Sequence, residues 1–201
     1  MKLYFVRHGQ SVANVNHTHA GQMDSPLTEN GRQDAMKAGK LLKTISFDKV
    51  YSSDLSRAKT TQEIAYPCDN VTVTQLLREI NVGKGLENKT FEVCLEEFGP
   101  EYVTNRRAFN LKPYGGEDYE MLEERAKQFL NMVIRDKVEC VVAFSHGGFI
   151  DAVLGCVLNC KVTTQNTLCD NCGISIFEYS NGTWKLRKWN LTADDVFEEY
   201  V

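Results

Sequence analysis

Two short, unbroken apolar runs, LYFV at 3–6 and CVVAF at 140–144, constrain this chain more than any other feature of it. A strand with one face in water alternates apolar and polar residues. Runs without alternation belong to strands covered on both faces, as in a parallel sheet. Each run also stops abruptly, the first at Arg7-His8-Gly9 and the second at Ser145-His146-Gly147-Gly148. A buried strand that ends in cations and glycines holds those groups in place.

Between the runs the pattern changes period. In GRQDAMKAGKLLKTI the residues Ala35, Ala38, Leu41, Leu42 and Ile45 recur at helical spacing. FDKVYSS reads as a short strand, LSRAKTTQEIAY as a helix and VTVT as a further strand. Residues 79–117 carry Gly83, Gly85, Pro100, Pro113, Gly115 and Gly116, and read as an irregular insertion with short helices. Asp118 is placed to cap a helix whose apolar face is Tyr119, Leu122, Ala126, Phe129, Leu130 and Val133. GGFIDAVLGCVL follows the second apolar run as a mostly apolar helix. GISIFEY and TWKLRKW, joined through Asn-Gly, read as a hairpin. The expectation is a three-layer α/β/α fold with a mostly parallel central sheet and an antiparallel edge strand, forming one domain over residues 1–201. The insertion at 79–117 is expected to lie over the active site.

Composition narrows the class. The 201 residues are 42% apolar and 25% charged, and the net charge is -4. That charge leaves no electrostatic footprint for nucleic acid or an acidic membrane surface. The apolar start MKLYFV is too short for a secretory signal, and nothing later approaches a membrane span. A cytoplasmic protein is expected. Seven cysteines are an odd number, which argues for free thiols. Cys169 and Cys172 in CDNC have zinc-knuckle spacing, with His17 and His19 as conceivable partners. Cys172 nevertheless leads into an apolar strand, where a thiol acts as a small core residue.

Ligands of open α/β sheets bind beyond the carboxyl ends of the strands. There this chain places Arg7 and His8, then Arg57 on the helix after KVYSS, then His146 and Gly147. Two arginines and two histidines beside helix N-termini outline a phosphate site.

VRHGQS with Asn14, GQMDSPLTENG, SSDLSRAKTTQ, LLRE, PYGGED and FSHGG occur in this order and resemble the histidine phosphatase superfamily, also called phosphoglycerate-mutase-like. The resemblance spans essentially the whole chain. It implies His8 as nucleophile, Arg7, Arg57 and His146 as the phosphate clamp, and Glu79 as proton donor. It also implies Asn14, Gln22 and Gly147 at the phosphate pocket. Such chemistry suits these residue types. Hydrolysis of a phosphate monoester can require up to about 10²¹-fold acceleration, of which general acid catalysis supplies on the order of 10²–10⁴. Most of the remainder must come from fixed positive charge and positioning. Neighbouring arginines also keep a histidine neutral and nucleophilic.

The expected activity is metal-independent hydrolysis of small phosphorylated metabolites through a phosphohistidine, with no cofactor. Mutase-type phosphoryl transfer and a non-catalytic phospholigand-binding module are the alternatives. The chain looks shorter than cofactor-dependent mutases, ending soon after the hairpin in LTADDVFEEYV, and its GQMDSPLTENG lacks their tryptophan-bearing counterpart. It departs from the family at INVGKGLENKT, where Asn88 follows Glu87, so Glu87 is a candidate to share the acid's task. Phe91, Phe98, Tyr102, Arg106, Arg107 and Tyr114 are available to roof the pocket; their alternative is packing among short helices and a solvated arginine pair.

Overall fold

The structure is a computed structural model and describes residues 1–192. Most of the terminal LTADDVFEEYV, read above as lacking a mutase-like tail, lies outside the described residues. Among those described, six strands form one sheet in the order β3-β2-β4-β1-β5-β6. These are β1 (Lys2–Arg7), β2 (Lys49–Ser52), β3 (Val71–Val73), β4 (Cys140–Ser145), β5 (Ile174–Ser180) and β6 (Thr183–Leu191). The first four are parallel, and β5 runs antiparallel to both β1 and β6.

The two apolar runs are the central pair. Leu3 to Val6 and Val141 to Phe144 are at most 1% exposed, because helices cover both sides. Leu3, Phe5, Val141 and Ala143 face a core shared with Phe129 and Phe149. Tyr4, Val6, Val142 and Phe144 face the opposite core with Leu42, Ile45 and Ala65. Alternate residues of one strand thus fill two layers, which is why neither run could alternate with polar residues.

The helices follow their caps. The short α1 (Val12–Val15) is closed by Ser11 and Asn14 in a reciprocal capping box. Thr28 caps α2 (Glu29–Leu42), which begins two residues earlier than its apolar pattern predicts, and Ile45 packs in the core just beyond its end. The helix α3 (Ser56–Ala65) packs beside α2. Asp118 caps α6 (Tyr119–Asp136), whose buried face is the one expected, and α7 (Gly147–Leu158) packs against it. The hairpin turns on Asn181 and Gly182, both at positive φ.

Residues 79–117 hold two short helices, α4 (Phe91–Phe98) and α5 (Pro100–Ala108), and a 3₁₀ turn at Lys112–Tyr114. No helix among the described residues is long and apolar enough to cross a membrane.

Candidate active site

Strand register brings the site together. Arg7 pairs with Ser145 across β1 and β4, and Ser52 with Phe144 across β2 and β4. His8 and His146 therefore leave neighbouring strands at one level, and Ser53 leaves the third strand level with Ser145. The His8 backbone N–H continues the ladder to Ser145 O at 2.9 Å, and Ser53 N–H does so to Phe144 O at 2.9 Å. Gly9 then lets β1 end against the backbone of Gly31 in α2, where a Cβ would have no room.

His8 is 3% exposed, and its Nδ1 lies 2.7 Å from Gly9 O. A carbonyl can only accept, so Nδ1 carries the hydrogen and the lone pair of the neutral ring is on Nε2. His146 is fully buried, with its Nε2 3.0 Å from Ser53 Oγ. Ser53 Oγ also accepts from Leu55 N–H at 3.3 Å and keeps a second lone pair as well as its own hydrogen, so it can pair with either tautomer of His146. His146 Nδ1 has no partner in the protein, and neither has Arg7 Nε.

Arg57 enters from the first turn of α3 and is 2% exposed. Its Nη1 donates to Met23 O at 2.9 Å and its Nη2 to Gly21 O at 2.7 Å, which fixes the guanidinium plane. Arg7 Nη1 donates to Cys169 O. Burial, then the charges of Arg57 and Arg7, hold the His8 pKa well below 6.5. Burial and Arg57 do the same to His146. Both rings are neutral at ordinary pH.

Glu79 sits on the loop after the 3₁₀ turn Gln75–Leu77, half-buried. Its Oε1 accepts from Ile80 N–H at 2.9 Å and its Oε2 from Gly148 N–H at 3.2 Å. A Cβ on Gly148 would stand 2.5 Å from Oε1, so glycine is required for the carboxylate to dock on the start of α7. Behind this loop Arg125 of α6 donates to Leu76 O, Arg78 O and Glu79 O and pairs with Glu117 at 2.8 Å. Gln22 braces the same loop from the other side. Its Nε2 donates to Glu79 O at 3.1 Å and its Oε1 accepts from Arg78, so both ends of the amide are engaged, and Gln22 is not among the residues that line the cleft.

Arg7, His8, Asn14, Arg57, Glu79 and Gly148 line one cleft of about 200 Å³. Asn14 Oδ1 is occupied by Ser11 and Asn171, so the end of Asn14 left for the cleft is its NH₂. Gly147 stands over Arg7 in an adjoining cavity that shares Arg7, Glu79 and Gly148. His146 lies behind the cleft, its ring centroid 5.1 Å from that of His8. The roof candidates divide between the two alternatives. Of the six candidates only Arg106 lines the cleft, joined by Phe109, Leu111 and His19. Phe91, Phe98, Tyr102 and Tyr114 stack on one another instead, as the packing alternative had it. Glu87 is not among the lining residues.

The segment CDNC is a brace. Asn171 Nδ2 donates to His8 O at 2.9 Å, and Cys172 N–H to Arg7 O at 3.1 Å. With Cys169 O on Arg7, the segment holds the end of β1 from below. Among the described residues no group of His, Cys, Asp and Glu is arranged to hold a metal ion. Ser53, Arg125 and Asn171 escaped the sequence reading. Arg125 left a signal, an arginine between Leu122 and Ala126 on the buried face of α6.

Residues 3–192 match the family model of the histidine phosphatase superfamily (branch 1). A protein of Salmonella choleraesuis (strain SC-B67) named "Probable phosphoglycerate mutase GpmB" is 31% identical over 98% of this chain and 94% of its own. The alpha-ribazole phosphatase of Shigella flexneri superposes with a TM-score of 0.87 over 98% of this chain and 99% of its own, at 23% identity, a likeness of fold. A mycobacterial glucosyl-3-phosphoglycerate phosphatase solved with VO₃ superposes with a TM-score of 0.85 at 26% identity, over 95% of this chain and 99% of its own.

Proposed function

The chain belongs to the histidine phosphatase superfamily, and from that premise we propose that it hydrolyses small phosphate monoesters, without a metal, through a phosphohistidine on His8. One observation carries this reading: the His8 tautomer leaves Nε2 free as a nucleophile near two buried nitrogens, Arg7 Nε and His146 Nδ1, that have no partner in the protein. A buried donor without an acceptor costs about 1–3 kcal/mol, and a phosphoryl group recovers that cost at Arg7 Nε, and at His146 Nδ1 in the tautomer that carries its hydrogen there.

On this reading the Nε2 lone pair forms the N–P bond as the ester P–O bond breaks, and Glu79 gives its proton to the departing alkoxide oxygen. Water then attacks phosphorus, its proton passes to the Glu79 carboxylate, and the N–P electron pair returns to Nε2. Arg7, Arg57 and His146 stabilise the equatorial oxygens throughout. Arg57, tied to two carbonyls, needs no reorganisation to do so. Arg106 at the cleft favours an ester carrying a second anion, such as a phosphosugar or phosphoacid.

The test is phosphate release from p-nitrophenyl phosphate and a small panel of phosphoesters in EDTA, comparing wild type with His8→Ala. Release that persists in EDTA and vanishes in the variant is expected; equal release from both excludes His8. A mutase reading draws on the name of the Salmonella relative. It predicts no release, with interconversion of phosphoglycerates when a bisphosphate primer is supplied.

A further inference from the structure

Asp151 is the one acid in the otherwise apolar stretch Phe149–Leu154 of α7, a turn beyond Gly147, and is 1% exposed. Its Oδ1 accepts from Thr167 Oγ1 at 2.7 Å, while its Oδ2 has no partner in the protein. A buried, half-satisfied carboxyl is costly to keep. Asp151 lines the adjoining cavity, about 290 Å³, with Arg7, Glu79, Gly147 and Gly148, so two residues that each keep a buried atom without a partner, Asp151 Oδ2 and Arg7 Nε, border one space beside the proposed phosphoryl position.

We propose that Asp151 is a positioning residue that couples a proton to phosphate binding. Protonated, it leaves the charge of Arg7 to the phosphoryl oxygens; ionised, it competes for Arg7 and repels the dianion. This rests on reading the cleft as a phosphate site.

The groups facing Asp151 agree with a proton that comes and goes near neutrality. Arg7 approaches from β1, Glu79 from the loop after the 3₁₀ turn, and Thr167 and Cys169 from the segment after α7, with the exposed Asp170 at the rim. Burial lifts the Asp151 carboxyl to about 7. The Thr167 hydrogen bond and Arg7 pull it down, and Glu79 pushes it up. The Cys169 thiol, pushed up to about 12, stays neutral throughout. Coupling is reciprocal: an anion that prefers the protonated form must draw a proton onto Asp151 when it binds.

Sulfate is the probe, because it remains a dianion across the range in which phosphate itself titrates. Its affinity and the protons taken up on binding are measured by calorimetry in buffers of different ionisation enthalpy, from about pH 6 to 8. Wild type is expected to take up a fraction of a proton near pH 7 and to lose about tenfold in affinity across the window, the equivalent of one pKa unit of coupling. Asp151→Asn keeps an acceptor for Thr167 and should show neither effect. Thr167→Val removes a bond that favours the ionised form and should move the window to higher pH. Equal uptake in Asp151→Asn, or a pH-independent wild type, overturns the proposal while leaving His8-dependent hydrolysis in place. Sulfate that fails to bind at any pH, together with absent hydrolysis, overturns the phosphate site itself.

Discussion

The rings of His8 and His146 lie 5.1 Å apart, centroid to centroid, tilted by 56°, and both are buried against the same two arginines. Two imidazoles so placed cannot both be charged. The arginines and burial hold both neutral.

The first consequence concerns acid. Since the His8 pKa lies well below 6.5, the nucleophile stays unprotonated as the pH falls through that value. The expected pH–rate profile for p-nitrophenyl phosphate shows no loss of turnover centred at 6.5; such a loss would contradict the arrangement. Stability behaves oppositely. The unfolded chain takes up protons below pH 6.5 that folded His8 and His146 refuse, so stability falls as pH falls below 6.5. His146→Gln should flatten part of that dependence in a thermal melt series.

Glu79 and Gly148 form a second testable pair. Glu79→Gln should lower kcat by about 10²–10⁴ and remove a limb of the pH–rate profile. Gly148→Ala, which sets a methyl 2.5 Å from Glu79 Oε1, should lower kcat more than it raises KM. Glu87→Gln should leave both constants near wild type, since Glu87 does not line the cleft. Parallel steady-state kinetics of the three variants decide this.

Arg57 is held by geometry as well as charge. Arg57→Lys keeps the cation but gives up the bonds to Met23 O and Gly21 O. A loss of about 3 kcal/mol in urea unfolding is expected from one buried and one half-buried carbonyl left short of donors. A fall in kcat/KM of about 10²–10³ should accompany it.

Why some of this could be read from the sequence and some could not follows from how each residue acts. LYFV and CVVAF announced a two-sided parallel pair because burial on both faces forbids alternation, and the motifs at their ends followed in place. The α6 face followed from its period and from Asp118. For Gln22 a motif specifies a residue and not the partners of its amide, which are Arg78 and Glu79 here. The aromatics of residues 79–117 left roof and packing both open, because side chains in an irregular segment have no period to show which way they face. CDNC suggested a metal by spacing, yet acts through Asn171 and main-chain groups, for which spacing is silent.

Asp151 also makes a prediction about stability. A carboxyl lifted from 3.8 to about 7 by folding binds a proton that the unfolded chain has released. Stability therefore falls as pH rises through that interval, by up to about 4 kcal/mol for three pKa units. Asp151→Asn should be more stable than wild type above pH 7 and should converge with it near pH 4. Melts of both proteins across that range check the sign; a variant less stable at high pH refutes it.

The central claim is a phosphoryl group on His8 that passes to water. Rapid mixing of the wild type with a phosphomonoester, quenched in alkali to preserve phosphohistidine, followed by intact and peptide mass spectrometry, observes it directly. The expected result is a gain of one phosphoryl mass on the peptide carrying His8, formed faster than steady-state turnover, lost with release of inorganic phosphate, and absent in His8→Ala. Phosphate release with no such intermediate, or a phosphoryl group on another residue, would contradict it.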